Sequence, residues 1–363
     1  MNIGIPKERR AFEYRVGLSP AFVQLLTKNG HTVFIENGAG EGAGFSNQEY
    51  EQANGKIVYS AQEVFGRADL LLKIARPLLD EIEWLRPGTT LAGLLHLASA
   101  RKDKIDALIS NSITAIAFEQ VQLVDGSLPV LRPLSQIGGR LAAQIGARLL
   151  QNNSGGKGIL LGGVAGVPPA EVVVIGAGVV GSCAASGFAG MGAHVTVLDT
   201  NLSALQRILE IIPGVATMIS NPVNLKRVCQ FADVIVTAIL IPGEIPPLLI
   251  TRDMVRSMKP RSVIMDISID EGGCVETSRP TTHEHSYFIE EGVIHYCVPN
   301  IPSVVARTAT YAFNNAAFPY ILELANKGVE QALSENSALE RAVNTQAGRL
   351  IHLAHLPYPK LME

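Results

Sequence analysis

Four ionisable side chains are of the types needed to handle a small carboxylic acid. They are Arg15 in YRVGLSP, Lys73 in LLLKIA, His96 in LLHLA and Asp270 in DISID. Cations bind carboxylates, an imidazole titrates near neutral pH, and a carboxylate can orient water or an amine. Each residue also has an ordinary explanation: a solvated lysine at a strand end, a structural histidine, a surface ion-pair arginine or a turn acid. As a set, the four favour proton transfer on a carboxylate substrate.

A glycine-rich turn in EVVVIGAGVVG supplies a second kind of site. Gly176, Gly178 and Gly181 have GxGxxG spacing between a Val-rich strand and an apolar helix, and Asp199 ends the next strand, 23 residues after Gly176 (from 176 to 199). These glycines allow a tight turn, close approach of a pyrophosphate and close helix packing, while the acid binds the adenine ribose. No Arg or Lys follows in DTNLSA, so we expect NAD rather than NADP.

The elements that must position these residues alternate between strand and helix. In residues 1 to about 130, apolar runs such as NIGIP, HTVFIE, ADLLLKIA and TTLAGLLHLA are separated by helical patterns, the first beginning at Ser19-Pro20. This pattern predicts a doubly wound parallel sheet. Lys73 and His96 are predicted to end two strands, and Leu94 would share a face with His96 by strand alternation.

A second βα series has the strands EVVVIG, HVTVLD, ATMIS, DVIVTA and SVIMDI, the last followed by Asp270. After about residue 300 the pattern becomes purely helical, and we expect these helices to return to the first domain. The fold class is therefore α/β, with two doubly wound Rossmann-like domains and mostly parallel sheets. We assign residues 1–130 plus 306–363 to a substrate/catalytic domain and 131–305 to an inserted NAD-binding domain, with the active site in the interdomain cleft.

Composition excludes several classes of protein. The chain has 363 residues, 30 Lys plus Arg against 33 Asp plus Glu, and 47% hydrophobic residues, which argues against nucleic-acid binding and intrinsic disorder. The four cysteines show no CxxC pair, and His283-Glu284-His285 lacks a further spaced ligand, so no metal site is predicted. The absence of a signal peptide and of an uninterrupted apolar run predicts a cytoplasmic protein that does not enter a membrane.

Almost the whole chain resembles the alanine dehydrogenase family, which is related to the NAD-binding part of proton-translocating transhydrogenase. The resemblance rests on GIPKE, YRVGLSP, NGAGEGAGF, LLLKIARP, LHLA, PLSQIGGRLAAQIGA, the glycine-rich segment, AILIPG, DISIDEGGCVETSRPTTH and VPNIP. It implies that Arg15 and Lys73 bind the substrate, and that His96 and Asp270 are catalytic. It also implies cofactor contacts at Ser135, Gly176, Gly178, Val179, Gly181, Asp199, Ser220, Ile239, Leu240, Ile267, Ser268, Ile269, Asp270, Arg279, Val298, Pro299, Asn300 and Ile301.

The resemblance implies an NAD-dependent L-alanine dehydrogenase, with L-alanine, pyruvate and ammonium as its small-molecule substrates. It also implies a homo-oligomer, commonly a hexamer. Two alternatives stay open: an NAD-binding transhydrogenase-like subunit, whose corresponding strand lacks His96, and a related amino-acid or opine dehydrogenase with a larger pocket. Some positions depart from the family pattern: Leu94 for Tyr, Arg76 for Glu, Leu134 and Gln136 for Met and Glu, and Ala204 for a basic residue. They leave the substrate range open.

Overall fold

The computed structural model describes residues 1–241 and 245–353 and has two compact units. The first contains residues 1–134 and the described residues from 302 onwards, and the second contains residues 135–301. The boundaries expected from the sequence were 130/131 and 305/306. Residues 354–363 of the expected first domain, and the last two residues of the AILIPG motif, lie outside the described residues.

Strands and helices alternate through the first unit. Ser19 occupies the N-cap position of the first helix and Pro20 is its first residue, as predicted, but the Ser19 side chain makes no capping hydrogen bond. The elements are β1 (Asn2–Ile5), α1 (Pro20–Lys28), β2 (Thr32–Glu36), α2 (Asn47–Gln52), β3 (Lys56–Val58), α3 (Ala61–Arg67), β4 (Leu70–Ala75), α4 (Leu79–Glu83), β5 (Thr90–Leu94), α5 (Lys102–Ser110) and β6 (Thr114–Ala117). The six strands pair in parallel in the order β6-β5-β4-β1-β2-β3.

The second unit repeats this architecture. Helix α6 (Leu131–Leu149) leads into it, followed by β7 (Glu171–Ile175), α7 (Val179–Gly190), β8 (His194–Asp199), α8 (Leu202–Ile211), β9 (Ala216–Ile219), α9 (Pro222–Phe231), β10 (Val234–Thr237), α10 (Arg252–Arg256), β11 (Val263–Asp266), β12 (Tyr287–Glu290) and β13 (Val293–Tyr296). The sheet order is β12-β13-β11-β10-β7-β8-β9. Successive strands are therefore added to opposite sides of the sheet from the point between β7 and β10, which is where such sheets bind nucleotides.

Strands β12 and β13 form an antiparallel hairpin that the sequence analysis did not predict. Glu291 and Gly292 connect them with φ values of 50° and 76°. Positive φ at both central residues is what a two-residue hairpin turn needs, and Gly adopts it at no steric cost. The dipeptide Glu-Gly between two apolar runs was the available signal.

The C-terminal segment is not purely helical, so that expectation is wrong. After α11 (Ala306–Lys327), α12 (Val329–Glu335) and α13 (Ser337–Glu340), the chain forms β14 (Val343–Gln346) and β15 (Arg349–Leu350). Ala347 and Gly348 have φ values of 48° and 72° and make a second two-residue turn. Strand β14 pairs antiparallel with β6, so the first sheet has the order β15-β14-β6-β5-β4-β1-β2-β3. Long-range pairing with β6 overrides the local helical pattern.

Many of the apolar residues lie in the central strands of the two sheets. Every residue of β4, β5 and β10 is buried, as expected for parallel strands that are covered on both faces. Among the described residues, no helix combines the length and apolar character needed to cross a bilayer.

Candidate active site

Lys73 is a buried cation held by two carboxylates. Its Nζ lies 3.0 Å from Glu8 Oε2 and 3.2 Å from Glu81 Oε1, and all three side chains are at most 2% exposed. Burial by itself lowers the pKa of Lys73, but the charges of Glu8 and Glu81 outweigh it and raise the pKa. Burial raises the pKa of Glu8 despite the nearby ammonium. Lys73 is therefore a fixed cation at neutral pH, not a base.

Lys73 lies at an irregularity of its strand. Lys73 was predicted to end its strand, which is wrong: it is the fourth residue of β4. Pairing of β4 with β5 shifts register between Leu72 and Ala75, which inserts one extra residue on β4 as in a β-bulge. A Cβ at Gly93 of β5 would collide with the Lys73 carbonyl oxygen. The bulge at Lys73 thus requires glycine opposite it.

Arg15 is oriented by a bidentate ion pair with Glu13. Its Nε and Nη2 donate to Glu13 Oε1 and Oε2 at 2.7 and 2.6 Å, and the two side chains are 5% and 1% exposed. Gly17, two residues later, packs on β4, because a Cβ there would lie 2.6 Å from the Leu72 carbonyl oxygen. Glu13 is also close enough to Glu8 to raise the pKa of that carboxyl group, after the larger effect of burial. Arg15 and Lys73 therefore belong to one buried ionic cluster.

Both cations of this cluster keep hydrogen-bond donors for a ligand. A guanidinium has five N–H donors and an ammonium has three. Within the described part of the chain, Arg15 uses two of its side-chain donors on Glu13. Lys73 donates one hydrogen bond to Glu81 and forms an ion pair with Glu8. The remaining N–H groups are suited to an oxo group and a carboxylate. The three glutamates were not identified by the sequence analysis, although Glu8 lies in the GIPKE motif.

His96 stands just beyond β5 in a strained backbone conformation. The strand ends at Leu94, so the prediction that His96 ends it is wrong. His96 has φ 42° and ψ 46°, a left-handed conformation that costs a non-glycine residue roughly 1–3 kcal/mol. Because strand alternation stops before His96, it does not place Leu94 on the same face as His96. The side chain of His96 is half-buried, consistent with a group that must exchange protons.

The glycine-rich turn of the second unit has the geometry its spacing predicts. Gly176 has φ 107°, and a Cβ there would collide with the Ala238 carbonyl oxygen. A Cβ at Gly181 would collide with the Gly176 carbonyl oxygen, whereas one at Gly178 would meet open space. Gly178 precedes α7, whose first N–H groups lack intrahelical acceptors and attract anions. The turn therefore fits a pyrophosphate beside Gly178.

Asp199 connects the end of β8 to this turn. Its Oδ2 accepts from Ala177 N at 2.7 Å and its Oδ1 from Asn201 N at 2.8 Å. A carboxylate has about four acceptor positions, so Asp199 retains capacity for ribose hydroxyl groups. Ser220, another predicted cofactor contact, donates its N–H to the Asp199 carbonyl oxygen at 2.9 Å.

Asp270 lies in a short 3-10 turn, Ile267–Glu271, and not at the end of β11, which stops at Asp266. Its Oδ1 and Oδ2 accept from the Asn300 N–H at 3.1 and 3.3 Å. Asn300 has φ 55°. The same turn contains Ser268, whose Oγ accepts from Ile239 N at 2.9 Å. Four of the predicted site residues therefore contact one another in two pairs, Asp270 with Asn300 and Ser268 with Ile239.

The remaining predicted cofactor positions differ in exposure. Arg279 is 3.6 Å from Glu290 and stacks 4.0 Å over the Phe288 ring, with its side chain 59% exposed. Leu240 is 47% exposed, whereas Val298 and Ile301 are 1% and 3% exposed. The others are Ser135 in α6, Val179 in α7, Ile267 and Ile269 in the 3-10 turn and Pro299 after β13. Arg15, Lys73 and His96 thus lie in the first unit, and Asp270 and the cofactor positions lie in the second.

Asp266 is a buried residue that ends β11 and immediately precedes the 3-10 turn. The sequence analysis did not identify it. It accepts from Thr237 Oγ1 at 2.6 Å and from Cys274 N at 3.0 Å. Burial raises its pKa, although these hydrogen bonds act in the opposite direction. Asp266 therefore links β10, β11 and the chain after Asp270. Its signal was an acidic residue at the end of a Val- and Ile-rich strand.

Comparison with known families gives matches over both parts of the chain. The N-terminal domain of alanine dehydrogenase/PNT matches residues 4–138, and the C-terminal domain matches residues 142–353. An alanine dehydrogenase of Mycolicibacterium smegmatis is 46% identical over 97% of this chain and 95% of its own length. An alanine dehydrogenase of Methanococcus maripaludis is 46% identical over 99% of this chain and 98% of its own length.

Solved structures give the same similarity at the level of the fold. A structure named L-alanine dehydrogenase has a TM-score of 0.92 at 44% identity, covering 97% of each chain. A transhydrogenase from Sinorhizobium meliloti has a TM-score of 0.80 at 25% identity, covering 97% of this chain and 99% of its own. The two-unit α/β fold is therefore similar to both kinds of protein.

Proposed function

This chain belongs to the alanine dehydrogenase/PNT family of oxidoreductases, and we propose that it is an NAD-dependent L-alanine dehydrogenase. In the reaction, L-alanine, NAD⁺ and water give pyruvate, ammonium, NADH and a proton, and the reverse direction is reductive amination. The observation that carries this proposal is the buried cluster in which Arg15 and Lys73 have more N–H donors than the described residues use, which suits a 2-oxo acid.

In this proposal Arg15 and Lys73 bind the carboxylate and the oxo group of the substrate. Glu13 holds the guanidinium of Arg15 in one plane, so its remaining N–H groups have a fixed direction. The raised pKa of Lys73 keeps its ammonium protonated, so it can polarise a carbonyl oxygen throughout the neutral range. Such positioning replaces several kcal/mol of the barrier of a bimolecular reaction, about 7–11 kcal/mol at best.

His96 transfers protons at the substrate oxygen and nitrogen while water and ammonia exchange, because histidine is the side chain most often used as a general acid and base. In this proposal Asp270 orients ammonia or water through its carboxylate, which accepts from the Asn300 N–H.

The glycine-rich turn and its surroundings fit a nicotinamide dinucleotide. The open space at Gly178 and the N-terminus of α7 support a pyrophosphate, and Asp199 supports the adenine ribose. A dinucleotide bound there would supply the hydride acceptor or donor for the substrate Cα. Asp199 would repel a 2′-phosphate, so we assign NAD. The remaining assignments are inferred from the family: a cytoplasmic protein that works as a homo-oligomer, with a hexamer as the form implied by the resemblance.

Initial rates over a panel of amino acids with NAD⁺, and over 2-oxo acids with ammonia and NADH, test this function. We expect L-alanine and pyruvate to give the highest kcat/KM. Activity with a larger amino acid and none with alanine would favour an opine-type dehydrogenase. NADH binding without turnover of any amino acid would favour the transhydrogenase-like alternative.

A further inference from the structure

The backbone of His96 is held on both sides by buried charged side chains. Glu119, in the turn after β6, accepts from His96 N at 2.6 Å through Oε1 and from Leu95 N at 3.0 Å through Oε2. Arg76 is the first residue after β4. Its Nη1 donates to the His96 carbonyl oxygen at 3.0 Å and to Ser99 Oγ at 3.0 Å. Glu119 and Arg76 are 6% and 8% exposed.

The hydrogen bonds with Glu119 and Arg76 hold His96 in a backbone conformation that is unfavourable by itself. His96 has φ 42° and ψ 46°. A residue other than glycine that is no longer held in this conformation relaxes to negative φ. The φ angle fixes the direction of the Cα–Cβ bond relative to the chain, so a relaxed backbone would turn the imidazole elsewhere. Hydrogen bonds to charged groups are among the stronger ones in proteins. Glu119 and Arg76 are therefore suited to hold His96 in its left-handed conformation.

We propose that Glu119 and Arg76 are positioning residues that act through the backbone of His96 and thereby aim its imidazole at the substrate. The inference rests on the proposed function and deepens it, because neither residue touches the reacting atoms in this scheme. Each enters from a neighbouring strand: β4 and β6 flank β5 in the sheet. His96 is thus aimed by the two strands beside its own.

The contact with the His96 carbonyl oxygen needs a hydrogen-bond donor at position 76. The sequence pattern of the resemblance has Glu where this chain has Arg76, and a carboxylate cannot donate to the His96 carbonyl oxygen. The guanidinium also bonds to Ser99 Oγ, which itself donates to the same carbonyl oxygen at 3.1 Å. Arg76, Ser99 and the His96 carbonyl therefore form a closed triangle of hydrogen bonds.

The first experiment compares Arg76→Met with Arg76→Lys and with a matched control, Arg86→Met. Arg86 also donates to a backbone carbonyl, that of Ala68 at 2.8 Å, but before β4 begins. We expect Arg76→Met to lower kcat by about tenfold or more, since misplacement of about 1 Å can cost as much as a hundredfold. The KM of pyruvate should change less than kcat, Arg76→Lys should recover part of the rate, and Arg86→Met should stay within about twofold of wild type.

The second experiment places Arg76→Met in a His96→Ala background. If Arg76 acts through the imidazole, it has nothing left to position, and the residual rate should change by less than about twofold. A further tenfold loss in that background would overturn the proposal, because it would show a general structural role. An unchanged kcat in the single Arg76→Met variant would overturn it as well.

A spectroscopic readout separates this inference from the proposed function. In histidine-labelled protein, the His96 Cε1–H NMR signal is assigned by its loss in His96→Ala. We expect Arg76→Met and Glu119→Gln to shift or broaden this signal while Arg86→Met leaves it in place. A shift in a protein that proves inactive on alanine would support the positioning role and refute the proposed function. An unmoved signal in both variants would refute the positioning role whatever the activity.

Discussion

Asp199 accepts a 2.7 Å hydrogen bond from the backbone N–H of Ala177, which lies between the first two glycines of the GxGxxG turn. One carboxylate thus serves both the shape of the turn and, in the proposed function, the ribose of the cofactor. Experiments on Asp199 therefore need one substitution that removes only its charge and another that also removes its hydrogen bonds.

We predict that the kcat/KM with NAD exceeds that with NADP by at least tenfold, about 1.4 kcal/mol, because Asp199 would face the 2′-phosphate with a like charge. Asp199→Asn keeps an oxygen for the Ala177 N–H but removes the charge, so it should narrow this ratio. Asp199→Ala should in addition weaken NAD binding, because the N–H loses its acceptor. Equal efficiency of the wild type with both cofactors would contradict the assignment.

His96→Ala is expected to lower kcat by roughly 10²–10⁴-fold, the usual contribution of a positioned acid–base group. NADH affinity, measured by fluorescence titration, should stay near the wild-type value because the glycine-rich turn and Asp199, which hold the dinucleotide in this proposal, are unchanged. Turnover that is undiminished in this variant would remove His96 from the mechanism.

Lys73→Met should remove most activity and also destabilise the fold. It leaves Glu8 and Glu81 buried without their cation, and breaking a buried pair in this way costs about 3–5 kcal/mol. Adding Glu8→Gln removes one of the unpaired charges. We therefore expect the double variant to have a higher free energy of unfolding in urea than Lys73→Met alone, although it stays inactive. A double variant less stable than Lys73→Met would show that Glu8 does not depend on Lys73.

A pH-dependent contribution to stability is expected at Asp233. Burial acts to raise its pKa, but hydrogen bonds from Lys157 at 2.7 Å, Lys259 at 3.0 Å and the Glu171 N–H lower it overall. A carboxyl group with a lowered pKa stabilises the fold above its unfolded-state pKa, and this contribution is lost as the pH falls through the folded-state pKa.

Asp233→Asn should therefore lower the free energy of unfolding at pH 7, by about 1–3 kcal/mol for lost hydrogen bonds to charged groups. The difference from wild type should shrink below about pH 4. Asp253→Asn is the control, since Asp253 is 90% exposed and should change stability by less than about 0.5 kcal/mol. A difference between wild type and Asp233→Asn that does not vary with pH would contradict the expectation.

The sequence by itself determined the features that depend on local order along the chain. Strand-helix alternation predicted the two α/β sheets, Ser19-Pro20 predicted the start of α1, and the spacing of Gly176, Gly178 and Gly181 predicted a turn whose geometry the structure confirms. These signals are local because period, capping and backbone freedom act over a few residues.

Only the tertiary structure decided what depends on residues that are distant in sequence. Strand β14 forms by pairing with the free edge of β6, which lies more than 200 residues earlier in the chain (Val343 pairs with Ile116). Lys73 has a partner at Glu8 that no spacing rule connects to it, and His96 takes its conformation from Glu119 and Arg76 on the neighbouring strands. Hydrogen bonds and ion pairs of this kind act through space at about 3 Å, and the sequence alone does not show which groups come that close.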